Sequence, residues 1–138
     1  MYKRQGVSNG TRAVFGGGMD PDGVEVIEYV TIDSTGNASD FGDLTVARGE
    51  LGSACSSTRG IWLAGRTDSP SPATVLNEID YVTIASTGNA TDFGNLTDAK
   101  YQTAGNSTNI RCVAAGGLDP SSVNVIEYIT IALSLIHI

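Results

Sequence analysis

Short apolar runs rich in β-branched and aromatic residues fill the chain, separated by Gly, Pro, Asn and Asp, and no stretch sustains a helical period. The clearest run occurs three times, as VEVIEYVTI (24–32), VLNEIDYVTI (75–84) and VNVIEYITI (123–131). Val24, Val26, Val30 and Ile32 alternate with Ile27 and Tyr29, so both faces are apolar, the pattern of a strand covered on both sides. Before each run comes a second strand phrase ended by glycine: RAVFG, GIWLAG or RCVAAG. After it, Ser-Thr-Gly-Asn predicts a tight turn in which Gly36 and Gly88 supply positive φ. A third phrase follows, ASDFGDL or ATDFGNL, and a fourth spans Gly49 to Ser57 and Tyr101 to Ser107.

These phrases belong to an internal repeat. Residues 34–45 (STGNASDFGDLT) and 86–97 (STGNATDFGNLT) differ only at Ser39/Thr91 and Asp43/Asn95, and residues 8–21 align without gaps to 107–120. Tyr29, Tyr81 and Tyr128 are separated by steps of 52 and 47 residues (29 to 81, 81 to 128). The longer step reflects an insertion in the Pro/Ser segment from Thr67 to Thr74, where a surface loop can grow at little entropic cost. A unit of this length with four strand phrases suits a propeller blade. On this register residues 1–10 are the last strand of a preceding blade, 11–57 the first blade, 58–108 the second and 109–132 half of a third. The expected fold is all-β, an open arc of roughly two and a half four-stranded antiparallel blades, with no helix longer than one turn.

Several positions carry a resemblance to the kelch-type β-propeller. They are the doublets Gly17-Gly18 and Gly116-Gly117 with Ala64-Gly65 between them, the tyrosines Tyr29, Tyr81 and Tyr128, the pairs Phe41/Leu44 and Phe93/Leu96, and the basic residues Arg48 and Lys100. Phenylalanine stands where kelch repeats usually carry tryptophan. The phrase IEYVTIxSTGNAxDFGxLT is also similar to repeats in hypothetical virion structural proteins of marine bacteriophages. The resemblances imply a structural or interaction module of a larger protein, such as a virion, tail or surface-recognition protein, on a virion or an extracellular surface. The alternatives are a fragment of a propeller enzyme acting on glycans, or a kelch-type adaptor.

Composition narrows the partners. A net charge of −7 argues against electrostatic nucleic-acid binding, and no apolar stretch reaches the length of a membrane span. Cys55 and Cys112 fall five repeat positions out of register, about 16 Å along a strand at about 3.3 Å per residue, so free thiols are expected. Residues 133–138 (LSLIHI) break the repeat and, back-translated, resemble a transposase adapter of shotgun sequencing libraries. They contain His137, the only histidine, so catalytic sites that need an imidazole have no candidate in the repeats. Accordingly no catalytic residue, cofactor or metal site is assigned.

Other motifs read as structure. Asp40-Phe41-Gly42 and Asp92-Phe93-Gly94 spell the kinase magnesium motif but recur once per unit without its companion loops, so Phe belongs in the core and Gly at a bend. Asp20-Pro-Asp22-Gly23 has the oxygen spacing of a calcium-loop start but no bidentate Glu follows, and a turn is expected. The loops after the first strand phrase differ most between copies. Asp20, Asp22, Asp68 and Asp119 make them acidic, and they are the candidate recognition loops for a protein or glycan surface. Missing blades of the same chain, or a second copy, are the other expected partners. Finally, three ion pairs are expected along the hairpins, Arg12 with Glu28, Arg59 with Asp80 and Arg111 with Glu127, provided side-chain parity puts each pair on one face.

Overall fold

The computed structural model describes residues 3–132 and 135–137. It is all-β, with no helix among the described residues. Strands β1 (Gln5–Ser8), β2 (Arg12–Gly16), β3 (Val26–Thr31) and β4 (Ser39–Asp43) form one antiparallel sheet in the order β1-β2-β3-β4. Strands β5 (Gly52–Cys55), β6 (Arg59–Thr67), β7 (Thr74–Thr83) and β8 (Thr91–Asn95) repeat that order in a second sheet. Strands β9 (Ala104–Ser107), β10 (Arg111–Ala115) and β13 (Ile126–Thr130) make the third, with β14 (Leu135–His137) paired along β13. A small ribbon of β11 (Leu118–Asp119) and β12 (Ser121–Ser122) decorates the third sheet's long hairpin. The three sheets do not close on themselves.

The strand phrases are where the pattern predicts, but their grouping is corrected. The fourth phrase opens the following sheet instead of ending the preceding one: Gln5–Ser8 pairs with β2, and β5 pairs with β6. The cause is loop length. Three-residue turns join β1 to β2 and β5 to β6, which forces antiparallel neighbours, whereas residues 44–51 are long enough to cross from the outer edge of one sheet to the inner edge of the next. The expected boundaries at 11, 58 and 109 therefore fall inside or beside tight hairpins. The extra residues of the middle copy lengthen β6 and β7, which stay paired out to Thr67 and Thr74. The segment set apart as an adapter remnant takes the fourth strand position at 135–137; residues 133, 134 and 138 lie outside the described residues.

The Asp-Phe-Gly motif is a β-bulge. Opposite Ile27 and Glu28 stand Gly42 and Asp40, leaving Phe41 as the unpaired extra residue, and Phe93 is placed likewise between Asp92 and Gly94. The bulge turns each phenylalanine inward, to 2% and 5% exposure. Each packs edge-on against the tyrosine of its sheet, Phe41 with Tyr29 and Phe93 with Tyr81, at 5.8 Å between centroids.

Two apolar layers fill the spaces between sheets. Val7, Val14, Ile27 and Phe41 of the first sheet meet Trp62, Val82 and Ile84 of the second. Ile61, Ile79 and Phe93 of the second meet Cys112, Ala114, Ile129 and Ile131 of the third. The middle sheet is thus covered on both faces, which explains why its strands are apolar on alternate and intervening positions alike. The edges are held too. The Ser86–Asn89 turn of the second sheet docks on β4 of the first: Gly88 N–H donates to Phe41 O at 2.7 Å, and Asp43 N–H donates to Asn89 Oδ1 at 3.1 Å. A Cβ on Gly42 would come within 2.4 Å of Gly88 O, so this contact requires glycine.

Candidate functional site

The three expected ion pairs do not form, because parity separates the partners. Arg12 pairs with Thr31 and Phe15 with Glu28, so Arg12 and Glu28 point to opposite faces of one sheet. The same holds for Arg59 and Asp80, and for Arg111 and Glu127. Each arginine instead lies over the tyrosine on its own face: Arg12 on Tyr29 at 4.6 Å, Arg59 on Tyr81 at 4.4 Å and Arg111 on Tyr128 at 4.2 Å. Arg12 and Arg59 then donate to a carbonyl of the next sheet, Ile84 O at 3.2 Å and Ile131 O at 2.6 Å.

The acids are held from the preceding sheet's linker. Asp80, fully buried, accepts from Arg48 Nη1 at 3.0 Å, from Thr45 N–H at 3.0 Å and from Thr45 Oγ1 at 2.6 Å. Glu127, equally buried, accepts from Lys100 Nζ at 2.5 Å, Thr97 N–H at 2.7 Å and Thr97 Oγ1 at 2.5 Å. Burial alone would raise the Glu127 pKa, but the Lys100 and Thr97 hydrogen bonds outweigh it and hold the carboxyl below its ordinary value. Arg48 also donates from Nε to Ala64 O at 2.8 Å. In the first sheet Glu28 is bound by Arg4 at 2.5 Å. The sequence signal for these partners is the recurring Leu-Thr-x-Ala-basic phrase, at 44–48 and 96–100, one unit ahead of each strand acid.

A second cluster was not singled out from the sequence. Lys3, Glu50 and Gln102 occupy one repeat register, and all three are left-handed, with φ of 56°, 57° and 55°. Such a conformation costs a non-glycine residue about 1–2 kcal/mol, so surrounding contacts must enforce it. The three converge where the inner strands β1, β5 and β9 lie side by side. Glu50 accepts from Lys3 Nζ at 2.6 Å and Gln102 Nε2 at 2.6 Å, and lies 3.1 Å from Arg66 Nη2. Desolvation pushes the Glu50 pKa up, yet Lys3, Gln102 and Arg66 together bring it below the usual value. With Gln5, Leu51 and Thr103 the trio lines an open cleft of about 310 Å³. Small residues at another register, Gly6, Ser53 and Gly105, allow the inner strands to approach: a Cβ on Gly105 would stand 2.2 Å from Ser53 O.

Of the candidate recognition residues, Asp20, Asp22 and Asp119 are exposed, and Asp68 is partly covered and 3.5 Å from Arg66 Nε. Asp20-Pro-Asp22 is a tight turn, closed by Asp20 N–H donating to Asp22 O at 2.7 Å. Cys55 and Cys112 are free thiols. Burial, then the neighbouring Cys55, pushes the Cys112 thiol up to about 12. A shallow polar cleft recurs beside each Ser-Thr-Gly-Asn turn, between Tyr29 and Ser39 and between Tyr81 and Thr91.

Fold and site together define a repeat protein of stacked antiparallel sheets, coupled by buried acids and stacked arginines. No known protein family matches the chain, and no curated protein matches it.

Proposed function

We propose that this chain is a non-enzymatic structural and interaction module, an open arc of kelch-like β-propeller blades. The support for blades is geometric. Each unit is a four-strand meander, the inner strands of successive units adjoin, and each linker runs from an outer strand to the next inner one. The observation that carries the functional reading is the state of the repeated charges. Asp80 and Glu127, buried and hydrogen-bonded to the preceding linker, hold sheets together. The varied loops bearing Asp20, Asp22, Asp68 and Asp119 sit on this rigid frame, where recognition of a protein or glycan surface is best placed. The similarity to phage virion repeats favours a virion or extracellular setting.

The test is retention of the chain on a glycan array and on purified bacterial envelopes. Retention on one of them is expected, with loss when Asp20, Asp22 and Asp119 are together replaced by Ala and the circular-dichroism spectrum is unchanged. Retention indifferent to these changes, or none on any surface, removes the loop reading. The Lys3–Glu50–Gln102 cleft favours one other reading, a glycan-acting enzyme, because it gathers a carboxylate, an amine and an amide at one register. Turnover of chromogenic glycosides by the chain but not by Glu50→Gln would put that reading first.

A further inference from the structure

The two outermost faces of the stack are register copies of the faces that are buried against each other inside it. On the forward face of the first sheet, Val14 and Ile27 are 0% exposed, and their second-sheet equivalents Ile61 and Ile79 are also 0%. In the third sheet the same positions are Val113 and Ile126; Val113 is only half-buried and Ile126 is 68% exposed. On the backward face, Trp62 and Ile84 of the second sheet are 0% exposed, and Ala114 and Ile131 of the third are 2%. The matching residues of the first sheet, Phe15 and Ile32, are 39% and 48% exposed. Among the described residues, three of the four exposed large hydrophobics therefore lie on these two faces, at positions that are buried wherever a neighbouring sheet is present.

We propose that the forward face of the third sheet docks on the backward face of the first sheet of a second copy of this chain, head to tail. The internal interfaces supply the template. Arg12 and Arg59 stack on a tyrosine and donate to the carbonyls of Ile84 and Ile131 in the next sheet; Arg111, exposed and stacked on Tyr128, is poised to donate to Ile32 O of the second copy. The contact joins two different surfaces, so it is heterologous and either closes into a ring or propagates as a filament. It rests on the reading of the chain as a stacked repeat module, and its test reads mass alone, independently of what the acidic loops retain.

Sedimentation velocity over a concentration series of the full chain is the experiment. The expected result is concentration-dependent association. Ile126→Asp, which spoils the forward face, and Phe15→Asp, which spoils the backward face, should each weaken it at least tenfold. Mixing the two variants leaves one intact forward and one intact backward face, so a capped dimer of one of each should appear. Far-ultraviolet circular dichroism checks folding, and Val113→Asp and Val30→Asp replace any variant that fails it. A chain that stays monomeric at every concentration, or association that neither substitution weakens, overturns the proposal. So does a mixture that forms no dimer, and so does one variant that still dimerises by itself, which is the result a symmetric contact gives.

Discussion

Glu127 shows how local chemistry decides a residue's role. It sits in an apolar layer, where desolvation opposes its charge, and three donated hydrogen bonds reverse the balance. Because its folded pKa lies below the unfolded value of about 4.3, it adds stability above that pH and loses it as pH falls through the folded value. Glu50 acts in the same direction. Urea midpoints should therefore be flat near neutrality and fall in acid, and Glu127→Gln should flatten part of that fall; an equally steep acid limb in the variant would contradict the assignment. Glycines give a separate expectation. Gly105 abuts Ser53 backbone without a left-handed φ, so Gly105→Ala meets overpacking alone and should cost about 1–3 kcal/mol. Gly42 and Gly36 both have positive φ, 146° and 156°, but Gly42→Ala adds a backbone collision and should cost more than Gly36→Ala, where the added carbon meets nothing within 4 Å. Equal losses at Gly42 and Gly36 in urea denaturation would show that the docked turn contributes little.

At the scale of elements, the linker from 44 to 51 is the coupling device. It leaves the outer edge of one sheet, passes Thr45 and Arg48 under the acid of the next sheet, and enters that sheet's inner strand as β5. Arg48 and Asp80 are both fully buried, so removing either leaves the other charged and unpaired. Arg48→Met or Asp80→Leu alone should destabilise by about 3–5 kcal/mol, whereas the double variant should recover much of that loss. A double variant as damaged as the sum of the singles would mean that the pair contributes through something other than mutual compensation. Arg12 and Arg59 couple the same sheets from the opposite face, through a ring on their own sheet and a carbonyl on the next. Each interface therefore carries two polar clasps around one apolar layer.

For the whole molecule, the consequence is a graded stack. Among the described residues the middle sheet is the one covered on both faces, and Ile61, Trp62, Leu63 and Ile79 are all 0% exposed. In repeat architectures stability is close to a sum of unit and neighbour contributions, so the middle sheet should exchange its amide hydrogens slowest. Hydrogen exchange followed by mass spectrometry should show the greatest protection in β6 and β7, and less in β2 and β10. Faster exchange in β6 than in β2 would count against independent coupling of neighbours. If the head-to-tail contact forms, protection in β2 and β10 should rise with protein concentration while that of β6 changes little.

The amino-acid pattern by itself determined the all-β class, the strand phrases, the unit length, the core place of the Asp-Phe-Gly phenylalanines and the place of the insertion. These are local properties: strand periodicity, turn chemistry and loop tolerance act over a few residues and recur visibly between copies. Tertiary structure decided which sheet each fourth strand joins, which cation each acid meets and where Lys3, Glu50 and Gln102 converge. Arg12 was placed near Glu28 along the hairpin, but a single step of register moves a side chain to the other face of a sheet. The true partners come from the neighbouring sheet, tens of residues away, and only the stacking of sheets brings them within hydrogen-bonding distance.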